Sequence, residues 1–230
     1  MHWIADSCNG LLESFTRFLP NLARKRLHMP SRTVLYQPGD PMPYVFFPAG
    51  GVISVVVRHD NGECVQVSAV GAEGVAPVFA LLGKRKSPLM LVQQVAGAVI
   101  RLPTESIARA MSEIEPLRSL VFDYLAWSLR AAHQATACNA RHGSLARTAQ
   151  MLLTTADRAR SARFEMTQDV LAEMLGVPRQ TANVAMREIA RRQLVRVRRG
   201  QIELLDRAGL ESVSCPCYPM MGERNWRAAG

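Results

Sequence analysis

TQDVLAEMLGVPRQTANVAMREIARRQLVRVRRGQIELLD, residues 167–206, is the stretch whose reading decides the fold. Thr167 suits an N-cap, because its hydroxyl can accept an amide at the start of a helix, and Asp169 and Glu173 follow in the turns beyond it. Leu171, Met174 and Leu175 recur at helical spacing and face a core. Ala172 is small where a second helix crosses closely. Gly176 supplies the positive φ that ends a helix sharply. Val177 then turns inward, and Pro178 starts a second helix without needing an amide donor.

That second helix is predicted over about 179–192. Ala182, Ala185, Met186 and Ile189 fall at i, i+3, i+4 and i+7 and form its buried side. Arg179, Gln180, Asn183 and Arg187 lie on the other side. Arg pairs well with guanine edges, and Gln and Asn with adenine; Thr181 suits a phosphate or a thymine methyl. From 194 to 204 apolar and basic residues alternate, as in a hairpin with one face buried and one turned to phosphate, with Gly200 at its turn. A helix pair with a merely solvated charged face would carry any one of these features. Their conjunction predicts a helix-turn-helix followed by a basic wing.

Thr167-Gln168, Leu171-Ala172, Leu175-Gly176-Val177, Arg179-Gln180-Thr181, Arg199-Gly200, Ile202 and Asp206 together resemble the DNA-binding domain of the Crp/Fnr family of bacterial transcription regulators. The resemblance implies Arg179 and Gln180 as the base readers. Thr167, Gln168, Thr181, Asn183, Arg187, Arg198 and Arg199 complete the expected DNA-binding set. It also implies double-stranded DNA, a second copy of the chain and RNA polymerase as partners. Val184 departs from the pattern, standing where several members carry a second base-reading arginine.

At 230 residues with a net charge of +9, the chain has room for two domains and a surplus that fits a polyanionic partner. The surplus is uneven: residues 141–230 hold 15 Arg against nine acids, net +6, and residues 1–140 hold 13 bases against 10 acids, net +3. No apolar run is long enough to span a bilayer, and no signal-peptide pattern opens the chain. Five scattered cysteines are unlike a secreted disulfide framework. A bacterial cytoplasm is the expected compartment.

Residues 1–30 read as an N-terminal helical segment, with Leu11, Leu12, Phe15, Phe18 and Leu19 at helical spacing. From 31 to 115 the texture is that of a small antiparallel β-barrel or roll. Short β-rich runs at 33–36, 44–47, 52–58 and 64–69 are punctuated by turn signals, including Asn61-Gly62 between two valine-rich runs. This portion resembles, more weakly, the cyclic-nucleotide-binding-type barrel of the same family. There the phosphate is held by a glycine-glutamate pair and a later Arg followed by Ser or Thr. Here Glu73-Gly74 survives in outline, but 82–89 reads LGKRKSPL, without an Arg-Ser/Thr pair. A buried phosphate needs a fork of donors, so cyclic AMP is not the expected ligand. Glu73 and Arg85 are the residues that an effector pocket of unknown specificity would use.

Residues 116–143 read as one long helix, stepping through Leu117, Leu120, Val121, Tyr124, Ser128 and Ala131. At about 26 residues it would run roughly 39 Å, longer than a small barrel requires. Ala131, Ala132 and Ala135 suggest close approach to a partner helix, and the resemblance implies a homodimer joined there. Gly143 is the expected hinge. A winged helix-turn-helix over 144–211 and a tail over 212–230 complete an α+β chain. Cys215-Pro216-Cys217 offers two ligands, too few for zinc, and Cys8 alone near the N-terminus excludes a four-thiolate iron–sulfur cluster. The five histidines show no ligand spacing, so no metal and no cofactor is expected. No Gly-rich phosphate loop, Gly-x-Ser-x-Gly or spaced carboxylate cluster is present, so no enzyme is expected. The competing expectation is a ligand-binding or protein-interaction module whose winged helix meets a protein.

Overall fold

The structure is a computed structural model that describes residues 9–19 and 24–221. Helix α1 (Gly10–Phe18) is capped by Asn9, whose side chain accepts from the Leu12 amide, and it buries Leu11, Leu12 and Phe15. Seven strands follow: β1 (Lys25–Met29), β2 (Thr33–Tyr36), β3 (Tyr44–Pro48), β4 (Val52–Arg58), β5 (Cys64–Val70), β6 (Met90–Val95) and β7 (Gly97–Pro103). A short helix, α2 (Val78–Leu81), interrupts them, and α3 (Thr104–Glu113) closes the unit.

The strands form two antiparallel sheets, β1-β7-β3 and β2-β6-β4-β5. The expected barrel is therefore an open roll of two sheets. Asn61-Gly62 does turn the β4–β5 hairpin, Gly62 taking φ +86. The reading of 1–30 as purely helical is corrected: residues 25–29 are an edge strand paired with β7 from Lys25↔Arg101 to Met29↔Gly97. Its Lys-Arg-Leu-His-Met alternation leaves both cations exposed, which blunts the sheet edge.

Helix α4 (Glu115–Arg141) runs unbroken for 27 residues. Its first half seals the roll with Leu117, Val121, Tyr124 and Trp127, each fully or nearly buried and worth about 1.5–3 kcal/mol in apolar burial. The second half packs along the cleft between β5 and the next helix.

The C-terminal unit comprises α5 (Ser144–Ala159), β8 (Arg163–Glu165), α6 (Gln168–Leu175), α7 (Arg179–Arg191), β9 (Val195–Arg198), β10 (Gln201–Leu204) and α8 (Arg207–Val213). Its three strands pair antiparallel in the order β8-β10-β9. Leu152, Leu153, Leu171, Ile189, Ile202 and Leu210 are its core, which runs on into Val52, Ala69 and Val95 of the roll. The two units thus share apolar surface.

Candidate nucleic-acid interface

Thr167 caps α6 by accepting from the Val170 amide at 3.3 Å, and Gly176 ends that helix in the left-handed region with φ +61. These two local devices aim α7. Its buried side is Ala182, Ala185, Met186 and Ile189, as the spacing predicts. The opposite side presents Arg179, Gln180, Val184 and Arg187, all exposed. Arg179 and Gln180 lie in the first turn, where side chains reach deepest when a helix enters a groove end-on. Arg179 is held by Asp169, Nε to Oδ1 at 3.0 Å; both groups are solvated, so the pair is weak and guanine can displace it.

Other expected readers sit less openly. Thr181 is half-buried. So is Asn183, whose side-chain oxygen is buried without a hydrogen-bond partner among the described residues. Gln168 is exposed at the start of α6. Val184 is 62% exposed in the middle of the outward face, a placement that an apolar side chain adopts at a cost in water.

The wing is a tight hairpin of β9 and β10, with Arg199 and Gly200 at φ +46 and +77. Arg196 and Arg163 are both tied to Glu203, at 2.9 and 2.5 Å. Their guanidiniums hold its carboxyl below the usual carboxylate range, the Arg163 hydrogen bond foremost. Arg191 and Arg192 likewise pull the Glu188 carboxyl down to about 2. Among the described residues, Arg187, Arg198 and Arg199 have no ion-pair partner, which leaves their charge available to phosphate.

The expected effector residues are not brought together. Glu73 is buried and faces the C-terminal unit: it accepts from Arg158 Nε at 2.9 Å and from the Gly71 amide at 3.0 Å. The Ala72 amide also donates to the Arg158 carbonyl, and a Cβ on Gly71 would collide with Arg158. Glu73 is a strut between the two units. Arg85 is exposed on the far loop. A cavity of about 450 Å³ does lie between the roll and α4, lined by Val70, Phe79, Leu91, Tyr124 and Trp127 among other mostly apolar side chains, but neither Glu73 nor Arg85 lines it. Burial and the nearby Glu73 charge push the Tyr124 hydroxyl well above the usual phenol range, so it stays neutral and bonds to Val75.

Ala131, Ala132 and Ala135 are half-buried and line a cleft between α4, β5 and α5 of their own chain. The exposed apolar residues of α4 are Phe122, at 52%, and Leu129, at 59%, with Ala126 between them. The two-ligand reading of Cys215 and Cys217 is also corrected. Cys138 and His142 at the end of α4 join them, and the four ligand atoms lie within 4.8 Å of one another. The Cys-x-x-x-His step on a predicted helix was the signal for that half. Cys8 lies outside the described residues.

Comparison with known proteins defines the class. Residues 146–213 match the Crp-like helix-turn-helix domain. Among solved structures the chain is similar to FixK2 from Bradyrhizobium japonicum, with TM-score 0.71 and 18% identity over 84% of this chain and 98% of that one. It is also similar to a CRP-family transcriptional regulator from Thermus thermophilus, with TM-score 0.67 and 21% identity over 83% and 96%. A third is the c-di-GMP responsive global regulator CLP of Xanthomonas campestris, with TM-score 0.63 and 16% identity over 84% and 98%. No curated protein matches by sequence. The C-terminal unit is thus a Crp-like helix-turn-helix domain, and the chain as a whole has the fold of Crp/Fnr transcription regulators.

Proposed function

We propose that this chain is a sequence-specific, DNA-binding transcription regulator that reads a palindromic operator as a homodimer. One observation carries the reading: the exposed stripe Arg179, Gln180 and Arg187 on α7 is flanked by the wing cations Arg198 and Arg199, which have no ion-pair partner among the described residues. The first set matches base edges and the second phosphates. The seam between copies is the outward stripe of α4, Phe122, Ala126 and Leu129, which places two recognition helices to read successive major grooves. RNA polymerase is the further partner of such a regulator, and the cytoplasm is its place of work.

The effector, where one acts, is an apolar small molecule rather than cyclic AMP. The cavity under α4 offers a mostly hydrophobic wall, and the guanidinium that lines it, Arg158, is committed to Glu73. Addition of cyclic AMP is therefore expected to leave the melting temperature unchanged.

Selection of bound genomic fragments with purified, ligand-free protein tests the reading. A recovered palindrome whose affinity falls steeply with salt supports it. Salt-independent capture, or no enrichment over random fragments, overturns it. Leu129→Glu tests the seam: a monomer by sedimentation with roughly 10²–10⁴-fold weaker operator binding is expected, the loss of a linked second half-site.

A further inference from the structure

Where α4 ends and the helix-turn-helix unit begins, four ligating side chains meet. Cys138 and His142 are four residues apart at the end of α4, so they share a face. Cys215 and Cys217 come from the turn after α8. Cys138 Sγ lies 3.5 Å from Cys215 Sγ, and His142 Nδ1 lies 2.8 Å from that same sulfur. Cys138 and Cys215 are buried; His142 and Cys217 are half-buried.

The turn carrying the second pair is held in place by other bonds. The Cys215 amide donates to the Ala146 carbonyl at 3.2 Å, the Tyr218 hydroxyl donates to Asp157 at 2.6 Å, and Arg207 pairs with Asp157 at 2.8 Å. The turn is therefore held by the fold as well as by contacts within the cluster.

We propose that Cys138, His142, Cys215 and Cys217 bind one zinc ion in a closed tetrahedral site. Zinc–sulfur and zinc–nitrogen bonds of about 2.3 and 2.0–2.1 Å place the ligand atoms of a tetrahedron roughly 3.5–3.8 Å apart. The observed cluster brackets that spacing. Three thiolates and an imidazole, with no carboxylate, select a thiophilic ion over magnesium or calcium. An iron–sulfur cluster spreads its thiolates over more than one iron and needs a wider nest. All four positions are protein ligands, so the ion has a structural role.

The surroundings fit thiolates. Gln134 Nε2 stands 3.5 Å from Cys138 Sγ, and the Cys217 amide stands 3.4 Å from Cys215 Sγ, two donors that orient ligating sulfurs. Binding replaces three thiol protons, which leave to solvent, with one dication and leaves a net charge of −1. The half-buried guanidinium of Arg147, bonded to the Leu175 carbonyl, lies within electrostatic reach of Cys138 and offsets it.

The placement gives the ion a task. Its ligands lie just before and just after residues 146–213, the matched helix-turn-helix domain. Zinc here ties both ends of that domain to α4 across Gly143, which fixes how the domain sits on the long helix.

Full-length protein purified under reducing conditions without chelator is the material for the test, with elemental analysis for metal. One zinc per chain is expected, and Co²⁺ added to stripped protein should give the visible bands of a tetrahedral thiolate site. Chelation should lower the melting temperature, and added Zn²⁺ should restore it. Cys217→Ser should lose the metal, whereas Cys64→Ser, a thiol outside the cluster, should keep it. The chelation cycle needs no variant to fold. Iron with acid-labile sulfide, a Cys138–Cys215 disulfide with no metal uptake after reduction, or a folded protein that takes up neither Zn²⁺ nor Co²⁺ would each overturn the proposal. None of these readouts involves DNA, so this site and the operator reading stand or fall separately.

Discussion

On the outward face of α7, polar side chains point to solvent and bond to little; in the 71–74 turn of the roll, the one carboxylate points inward and bonds to the neighbouring unit. Arg179 has a single solvated partner, and Gln180 and Arg187 project freely. Glu73 is bound by a backbone amide and by Arg158, with its side chain 4% exposed. Both segments match ligand-binding motifs of the same family in outline. A group that must bind something else stays unsatisfied and exposed, and a group committed to the fold is buried and paired. Local resemblance does not distinguish the two, and the state of the hydrogen bonds does.

The strongest way to break that contrast is Glu73→Ala. Removing one partner of a buried ion pair leaves an unmatched guanidinium and costs about 3–5 kcal/mol. Equilibrium unfolding in urea measures it. A variant of unchanged stability that had lost its response to a small molecule would return Glu73 to the effector pocket.

Arg179→Ala probes the other pole and should show the opposite pattern. Stability should stay within about 0.5 kcal/mol, as for surface substitutions in general. Operator affinity should fall by about 1–3 kcal/mol, with discrimination relaxed at one base pair of each half-site. Equal losses against random DNA would make Arg179 a phosphate contact and not a reader.

These contrasts explain how much was legible in the sequence. The helix-turn-helix is written in local rules: a cap at Thr167, a left-handed glycine at 176, and a 3.6-residue apolar period from 182 to 189. Each acts within a turn or two, and each appears as expected. The hairpin strands of the roll were legible for the same reason. Strand β1 was not, because its five residues make sense only against β7, some seventy positions later. Whether a stripe of α4 meets its own roll or a second copy also depends on partners far along the chain, which the local spacing of the alanines 131, 132 and 135 does not supply. The Cys138–His142 and Cys215–Cys217 pairs are each ordinary in sequence. Only the docking of the last turn beside α4 makes them one cluster.

Val184 offers the finest test of the outward face. Its side chain is 62% exposed, flanked by Gln180 one turn before and Arg187 one turn after. An apolar side chain there has no role in the core, and on the proposed function it is buried when α7 enters the groove. A thymine methyl is the apolar group that the major groove presents. Truncation in Val184→Ala should cost about 1 kcal/mol, close to a buried methylene's worth. The cleaner measurement is a cycle against DNA in which deoxyuridine replaces thymidine, one operator position at a time. At the contacted position the wild-type protein should lose roughly fivefold in affinity, while Val184→Ala loses almost nothing further, since the two changes remove the same contact. Additive losses at every position would show that Val184 touches no methyl. The outward face of α7 would then read sequence through its polar residues alone.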